Sequence, residues 1–205
     1  MTGILIVEDH QSMREAITSA FTATGRYQVL GEVSSANFSE LFCRELKPDL
    51  VLMDVCTEGG ASGLTAAEQI KKDFPRIKVI IMTGFDELSY IPRAKAAGAD
   101  GFIYKSRSLQ FFIDTADRIM AGETYFPEQK AIPLPEGEIP LSDREMEVLR
   151  LMCKHMSNKE IAQELFITES TVRYHKANML AKTGFTKSID LAFYMISNGF
   201  INPLY

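Results

Sequence analysis

The sequence lacks an uninterrupted apolar run of about 18 residues, the length that a membrane-spanning helix needs. It also lacks a signal-peptide pattern, because Glu8 and Asp9 follow only a short apolar stretch. Its cysteines are few, odd in number and far apart, which argues against both a disulfide framework and a zinc site. We therefore expect a cytoplasmic protein without membrane contact, in which Cys43, Cys56 and Cys153 are reduced thiols and two of them pack as small hydrophobic groups.

The chain also has no excess of basic residues, because its formal net charge is −5. The two parts of the chain differ, because residues 1–139 carry 14 basic and 20 acidic side chains, whereas residues 140–205 carry 8 and 7. The second part is weakly basic, which permits nucleic-acid binding without arguing strongly for it. A hydrophobic content of 46% is enough to build a buried core.

The first part alternates short apolar runs with amphipathic segments. Strands are predicted at 4–7, 29–33, 50–54, 79–83 and 102–104, and helices near 11–24, 36–46, 63–74, 87–98 and 108–121. Runs such as LVLMD and VIIMT are apolar almost throughout, as expected of strands that are buried on both faces. The pattern predicts an α/β domain over residues 1–121, with a five-stranded parallel, doubly wound sheet.

The second part is separated from the first by a proline-rich linker. Four of the eight prolines fall between residues 122 and 140, where no helical or strand period is present. Beyond this linker, four helices are predicted over residues 141–205, which form a small all-α domain. Their start and stop signals are Ser142 with Glu145, Ser157 with Glu160, Thr168, Gly184, Thr186 and Gly199.

Charged and hydroxyl side chains stand at the carboxyl ends of four of the predicted strands; they are Glu8, Asp9, Asp54, Thr83 and Lys105. Because the carboxyl ends of parallel strands form one edge of a sheet, we expect these side chains to lie together. Clustered carboxylates repel one another unless a cation lies among them, and Mg²⁺ suits oxygen ligands of this kind. One carboxylate could then act as a nucleophile toward a phosphoryl group, with the lysine offsetting the charge on its oxygens.

A plainer interpretation exists for each of these residues taken alone. Acidic residues after strands are often turn formers or helix caps, so Asp9 could simply cap the first helix. Thr83 could be a turn residue, and Lys105 a solvated side chain. Their joint placement at the strand ends favours the functional interpretation.

Residues 1–121 resemble the receiver domain of bacterial two-component response regulators, which has a flavodoxin-like fold. The segments ILIVEDH, LVLMD, VIIMTG and ADGFIYK carry this resemblance. It implies that Asp54 is the phosphoacceptor. It also implies that Mg²⁺ is bound by Glu8, Asp9, Asp54 and the backbone carbonyl of Cys56.

The same resemblance assigns the remaining residues of the pocket. Thr83 and Lys105 would contact the phosphoryl group. Phe102, three residues before Lys105, would be the switch aromatic that turns inward when the threonine hydroxyl is drawn to the phosphate.

The stretch after the acceptor departs from the pattern of that family. It reads VCTEGGASGL, without the usual Met-Pro pair and with a slightly longer loop. Glu58 adds a negative charge near the site, and Cys56 is expected to be a space-filling thiol rather than a redox group. Pro92 falls within the predicted helix 87–98, which should therefore start late or kink. The altered loop affects the expected lifetime of a phosphoryl group and the metal affinity, and the helix with Pro92 flanks the usual signalling face.

Two predicted helices of the second domain are joined by the short segment LFIT, which gives a helix-turn-helix. With Val172 facing inward, the exposed face of the second helix would enter the major groove of DNA. Arg173 is the candidate for a bidentate contact with guanine. The residues expected to contact DNA are Lys159, Thr168, Ser170, Thr171, Arg173, Tyr174, Lys176, Ala177, Lys182 and Lys187.

Residues 141 to 201 resemble the LuxR/NarL-type DNA-binding domain through the segments LSDREMEVL, SNKEIAQEL and STVRYHKANML. The resemblance outweighs the alternative of a helical hairpin that binds only protein. Two positions depart from the family pattern, since Thr183 replaces the usual leucine and Lys187 replaces a common arginine. Phe193 is expected in the core, although its helix forms a dimer contact in that family.

Together the resemblances imply a transcriptional regulator of the NarL/LuxR class. A sensor histidine kinase would phosphorylate Asp54, and a homodimer would then bind double-stranded DNA. An alternative keeps the DNA binding but makes the receiver a constitutive dimerisation domain that needs no phosphorylation. A phosphatase or phosphotransferase with the same nucleophile is disfavoured, because no further domain could hold a substrate, so we expect no enzyme.

Overall fold

A computed structural model of the chain describes residues 1–85, 87, 89–128 and 141–203. The chain divides into two compact units, one formed mainly by residues up to 129 and the other mainly by residues from 130 onward. Most of the predicted linker 122–140 lies outside the described residues. None of the helices in the described part of the chain has the length and apolarity that crossing a bilayer would require.

The first unit is built on a parallel sheet. Its strands are β1 (Thr2–Val7), β2 (Tyr27–Val33), β3 (Leu50–Asp54), β4 (Cys56–Thr57), β5 (Ala61–Ser62), β6 (Lys78–Thr83) and β7 (Gly101–Tyr104). Five of them form the sheet in the order β2-β1-β3-β6-β7, with every pair parallel. This order confirms the predicted doubly wound, flavodoxin-like fold, in which ligands bind where the strand order reverses, beside β1 and β3.

Five helices cover the two faces of the sheet. They are α1 (Gln11–Ala23), α2 (Ser39–Leu46), α3 (Gly63–Asp73), α4 (Tyr90–Ala96) and α5 (Leu109–Met120). Residues of α1 and α5 join one hydrophobic core with one face of the strands, and residues of α2, α3 and α4 join a second core with the other face. All five residues of β3 are buried, and burial on both faces explains why all of them except the last, Asp54, are apolar.

Two helix boundaries in this unit differ from the prediction. The segment 87–98 forms a helix only over Tyr90–Ala96, so that Pro92 lies in the first turn, where a missing backbone N–H breaks no helical hydrogen bond. The late start predicted from this proline is therefore confirmed. The segment 36–46 begins with a 3-10 turn, Ala36–Phe38, before α2 itself.

The VCTEGGASGL stretch forms a small hairpin that was not predicted. Strands β4 and β5 pair antiparallel, with Cys56 opposite Ser62 and Thr57 opposite Ala61. The Thr57 hydroxyl donates to the Ala61 carbonyl and accepts from the Ala36 backbone N–H, which ties the hairpin to the segment after β2. The longer loop is thus compact and hydrogen-bonded.

The second unit contains four helices in its described part. They are α6 (Asp143–Cys153), α7 (Asn158–Glu164), α8 (Glu169–Thr183) and α9 (Ser188–Ser197). Complete capping boxes begin α6 and α7, at Ser142 and Ser157, as the sequence predicts. Thr168 caps α8, and Gly184 ends it with a left-handed φ of 72°.

Two expectations for the last helix are wrong. The residue before α9 is Lys187 rather than Thr186, and its side chain makes no capping hydrogen bond. Phe193 is not a core residue, because 71% of its surface is exposed. The core side of α9 is instead formed by Leu191, Ala192 and Met195, since residues three and four apart share a helix face.

None of the three cysteines, all of which lie in the described part of the chain, forms a disulfide. Burial raises the pKa of the Cys43 thiol to about 12 and that of the Cys153 thiol to about 12. Both behave as the small packed hydrophobic groups that the sequence predicts.

Candidate functional site

The carboxyl edge of the sheet brings the predicted pocket residues together. Glu8 and Asp9 follow β1, Asp54 ends β3, Thr83 ends β6, and Lys105 follows β7. Because β3 lies between β1 and β6, Asp54 is flanked on both sides by the ends of neighbouring strands. The joint placement at one edge is what the strand pattern predicts.

An ammonium group links the two buried carboxylates of this pocket. Lys105 Nζ lies 2.7 Å from Glu8 Oε2 and 2.7 Å from Asp54 Oδ2. Glu8 is fully buried, and its Oε2 receives no hydrogen bond of normal geometry, so the lysine acts on it as a counter-charge. The other oxygen of Glu8 accepts from the backbone N–H of His10 at 3.1 Å.

Burial shifts the titration of the Asp54 carboxylate. It raises the pKa of Asp54 from 3.8 to about 7, against the lowering effect of the Lys105 ammonium, and the Glu8 charge raises it further. The backbone N–H of Cys56, which hydrogen-bonds the carboxylate, acts in the lowering direction. For Lys105, burial lowers the pKa, but the nearby carboxylates of Asp54 and Glu8 outweigh it and the net shift is upward.

The acidic cluster has the donor set of a hard divalent cation. One ligand atom each from Glu8, Asp9 and Asp54 can be chosen so that all three lie within 4.8 Å of one another. The buried Glu8 oxygen without a hydrogen bond is the kind of atom that a cation would satisfy. Asp9 is exposed, so water molecules can reach this group of carboxylates. Mg²⁺ usually keeps several water ligands, so the arrangement suits it.

Thr83 and Phe102 are both fully buried. The Thr83 carbonyl accepts from the Lys105 backbone N–H at 2.7 Å, which fixes the end of β6 to the lysine. The Phe102 ring packs edge-to-face against Tyr104, with the ring centroids 5.4 Å apart. The predicted switch aromatic therefore points into the core in this structure.

Glu58, the extra acid of the acceptor loop, has its own partners. Its carboxylate accepts from the Ser34 hydroxyl at 2.5 Å, and its backbone carbonyl accepts from the Ser35 hydroxyl. These hydrogen bonds fix Glu58 against the segment that follows β2. The neighbouring Cys56 thiol lies 3.7 Å from the Tyr90 hydroxyl and is half-buried.

Arg14 positions the acidic pair, and no sequence argument singled it out. Its Nη1 donates to the Glu8 carbonyl at 2.6 Å and lies 3.4 Å from the Asp9 carbonyl, while its Nε pairs with Glu32 at 3.4 Å. Helix side chains lean toward the N-terminus, so an arginine in the first turns of α1 reaches back to the loop that precedes the helix. The position of Arg14 shortly after the acidic pair is therefore the sequence feature from which this contact can be predicted.

Gly63 allows the backbone of the loop to approach Asp54. A Cβ atom at this position would lie 1.8 Å from the Asp54 carbonyl oxygen and 2.8 Å from its carbonyl carbon. The Gly63 backbone N–H donates to the Val55 carbonyl at 2.9 Å, which closes the hairpin against the end of β3. Only glycine fits here without moving the backbone of Asp54.

The second unit presents the predicted helix-turn-helix, in which α7 and α8 pack around buried Ile161, Val172 and Met179. The side chains expected on the outer face of α8 are all exposed; they are Ser170, Arg173, Tyr174 and Ala177. Thr168 is exposed at the start of this helix, and Thr171 is half-buried.

The lysines of this unit that were expected to contact DNA differ in solvent exposure and in the bonds that they make. Lys159 and Lys187 are exposed, whereas Lys176 and Lys182 are half-buried and engaged. Lys176 donates to the Asn158 side chain at 2.6 Å, and burial lowers its pKa. Lys182 pairs at 2.7 Å with Glu145, the buried acid of the first capping box.

Comparison with known proteins identifies both units. Residues 4–116 match the response regulator receiver domain family, and residues 139–195 match the luxR family of bacterial regulatory proteins. The response regulator protein VraR of Staphylococcus aureus is 37% identical over 186 residues, which cover 87% of this chain and 88% of VraR. The chain belongs to the LuxR-type response regulators of two-component systems.

Solved structures share the fold of this response regulator. RcsB from Salmonella enterica serovar Typhimurium, bound to promoter rprA in the presence of the phosphomimetic BeF3−, is 22% identical. The match has a TM-score of 0.66 and covers 96% of this chain and 99% of that one. A structure of two RcsB dimers bound to two parallel DNAs has a TM-score of 0.67 at 21% identity, with coverage of 96% and 98%.

Replacing Asp54 by asparagine is expected to stabilise the response regulator in the absence of Mg²⁺. Because the pKa of Asp54 is about 7 in the folded state and 3.8 otherwise, the native state binds more protons between these values, and stability falls as the pH rises. Urea unfolding at pH 8 with chelator should show Asp54→Asn more stable by at least about 1.4 kcal/mol, the equivalent of one pKa unit.

The difference in the free energy of unfolding between Asp54→Asn and the parent protein should become smaller as the pH falls toward 4. Mg²⁺ should stabilise the parent but not the variant. The exposed Asp73→Asn is the matched control, because it removes a carboxylate outside the pocket. If the difference in the free energy of unfolding between Asp54→Asn and the parent does not change with pH, the assignment of a raised pKa to Asp54 is wrong.

Replacing Gly63 by alanine is expected to disrupt the site around Asp54. The added Cβ would overlap the Asp54 carbonyl, so we expect a loss of about 2 kcal/mol or more in the free energy of unfolding. Mg²⁺ should also no longer raise the unfolding midpoint at concentrations that affect the parent. Gly84→Ala is the control, because a Cβ there meets no atom within 4 Å. Equal stability of the two variants would show that the loop accommodates a side chain.

Proposed function

We propose that this response regulator accepts a phosphoryl group on Asp54 from a sensor histidine kinase and then binds specific DNA as a homodimer. One observation carries the proposal: the buried Asp54 carboxylate lies 2.7 Å from the Lys105 ammonium, beside the acidic pair Glu8 and Asp9. A nucleophile, a counter-charge and cation ligands thus meet at one edge of the sheet.

The proposed reaction transfers the phosphoryl group from a histidine of the kinase. An Asp54 oxygen attacks the phosphorus, the P–O bond forms and the P–N bond breaks, and the electron pair stays on the imidazole nitrogen, which then takes up a proton. Lys105 offsets the negative charge on the phosphoryl oxygens. Mg²⁺ held by Glu8, Asp9, Asp54 and the Cys56 carbonyl would add further stabilisation of that charge. Since the group stays on the protein, no enzyme activity toward a free substrate is proposed.

The proposed signal passes from the pocket through Thr83 and Phe102. The Thr83 hydroxyl would hydrogen-bond the phosphoryl group at the end of β6. Thr83 pairs with Tyr104 of β7, and the Tyr104 ring packs edge-to-face against Phe102, which lies three residues before Lys105. A small shift at the edge of β6 can therefore reach the aromatic cluster of β7.

The DNA-binding output is assigned to the exposed face of α8, with Arg173 as the residue that reads bases. The exposed Lys159 and Lys187 are proposed to contact phosphates, as are Thr168 and Thr171 near the helix N-terminus. Lys176 and Lys182 would have to loosen their bonds to Asn158 and Glu145 in order to do so. Because the proposed partner is double-stranded DNA, we place this activity in the cytoplasm.

A homodimer is supported by an apolar pair on α9. Ile189 is 63% exposed and Phe193 is 71% exposed, and a spacing of four residues places them on the same face of the helix. RcsB, which shares the fold, is described as dimers on DNA and as a promoter complex with BeF3−. These descriptions support the same assembly for this chain when it is active.

A second candidate function dispenses with phosphorylation. The hairpin of β4 and β5 replaces the usual acceptor loop, and Phe102 is already turned inward. Both features are compatible with a receiver that stays in one conformation and serves as a constitutive dimerisation domain. The DNA-binding assignment is the same in both cases.

Beryllofluoride with Mg²⁺ is expected to increase DNA affinity and dimerisation of the parent protein. We expect at least about a tenfold change in the dissociation constant, since a population shift of that size needs only about 1.4 kcal/mol. The DNA should first be selected from genomic fragments with and without the mimic. Affinity and oligomeric state are then measured by fluorescence anisotropy and analytical ultracentrifugation.

Two variants sharpen this test. Asp54→Asn should not respond to beryllofluoride, whereas Asp73→Asn should respond like the parent. If the parent binds DNA equally well with and without the mimic, the constitutive function is correct. If neither state enriches a sequence, the DNA-binding assignment fails.

Arg173→Lys is expected to relax the sequence preference at one base pair, by about 1–3 kcal/mol of discrimination, while keeping the salt dependence of binding. A lysine keeps the charge but not the planar fork of donors. Lys159→Ala is the contrasting variant, since loss of a phosphate contact should weaken binding to all sequences and reduce the salt slope by about one. Measuring affinities for operator variants at several salt concentrations separates the two. Identical behaviour of the two variants would remove Arg173 from base recognition.

A further inference from the structure

The turn between α7 and α8 contains an aromatic residue in the left-handed region. Phe166 has a φ of 54°. The Ile167 backbone N–H donates to the Ala162 carbonyl at 2.9 Å, and the Phe166 N–H donates to the Gln163 carbonyl at 3.3 Å. This pair of bonds is the Schellman motif, in which the residue at the position of Phe166 is usually glycine.

The side chain of Phe166 gains nothing from the fold in return for this strained backbone. A left-handed φ is an outlier for a bulky residue, because its Cβ crowds the following carbonyl. The ring is 96% exposed, so burial does not compensate. Among the described residues other than glycine, Lys47 and His155 also have a positive φ, but both are polar and exposed. Phe166 differs from these two residues because its apolar side chain is exposed to water, which is unfavourable.

The turn is held rigidly in this conformation. Arg144 Nη2 donates to the carbonyl of Leu165, the residue before Phe166, at 2.7 Å. On the other side, the Thr168 hydroxyl accepts from the Thr171 backbone N–H and caps α8. The ring is therefore presented to solvent by a fixed backbone, as expected for a preorganised contact.

The position of Phe166 indicates its partner. In a helix-turn-helix the N-terminal residues of the second helix contact base edges in the major groove, and the preceding helix crosses the backbone. Phe166 lies two residues before Thr168, and Thr168, Glu169 and Ser170 are all exposed beside it. An aromatic ring at this place meets the apolar groups of DNA, namely the thymine methyl group or the face of a deoxyribose.

We propose that Phe166 is a DNA-contacting residue whose ring packs against the apolar groups of the operator at the edge of the recognition helix. The inference rests on the proposed DNA-binding function. It adds a contact that is neither a charge–phosphate interaction nor a hydrogen bond to a base. It also predicts that stability and DNA affinity respond in opposite directions to one substitution.

Phe166→Gly tests the proposal in the full-length chain. Glycine adopts the left-handed conformation freely, so the thermal unfolding midpoint of the second unit should rise by about 4 °C. The affinity for selected DNA should fall by at least about fivefold, because the apolar contact is lost. Lys47→Gly is the matched control in the first unit, where the same backbone relief should leave DNA affinity unchanged.

Operators in which deoxyuridine replaces thymidine identify the group that is contacted. If the ring packs on a thymine methyl group, the parent loses affinity on this DNA and Phe166→Gly does not. If it packs on deoxyribose, the difference between parent and variant persists. Phe166→Leu, which keeps an apolar side chain, should recover part of the affinity in either case and guards against a variant that fails to fold.

Two results would overturn the proposal. Unchanged affinity of Phe166→Gly for selected DNA would exclude the contact, and a loss of transcriptional output without a loss of affinity would assign the ring to a protein partner instead. Failure of the proposed function is distinguishable, because the parent protein itself would then show no sequence-selective binding.

Discussion

The parallel sheet forces acidic side chains into a buried space, and the ammonium of Lys105 makes that arrangement tolerable. Glu8 follows β1 and Asp54 ends the neighbouring strand β3, so the backbone brings their carboxylates together whatever their charges. Two buried negative charges are costly unless a cation lies within a few ångströms. Lys105 supplies it at 2.7 Å from both, yet Asp54 keeps a raised pKa. A site balanced in this way responds to any group that changes its charge, which is what a phosphorylation switch requires.

The second unit depends on local hydrogen bonds at helix ends, because four short helices share a small core. Glu145 illustrates this, since its carboxylate accepts from the Ser142 backbone N–H and pairs with Lys182 on α8. Few residues of α8 are buried, among them Val172 and Met179, so most of its surface remains available for a partner. Caps and ion pairs thus hold in place a helix that packing alone would hold weakly.

Much of this could be predicted from the sequence, and the failures have physical causes. The strands and the capping boxes at Ser142 and Ser157 were predictable because they depend on residues close together in the chain. Phe193 is exposed although the sequence favours a core position, because an aromatic side chain in an amphipathic helix does not show by itself which flank faces inward. The hairpin after Asp54 was missed because two-residue strands have no period.

The sequence by itself determined the order of strands and helices, the edge where Asp54 and its neighbours lie, and the helix-turn-helix pattern. Those features follow from apolar periodicity and from the handedness of parallel connections, which act at short range. Only the tertiary structure decided that Lys105 joins Glu8 to Asp54, that Arg14 holds the backbone of the acidic pair, and that Ser34 binds Glu58. These contacts depend on interatomic distances and on burial, which arise only when segments distant in the chain pack together.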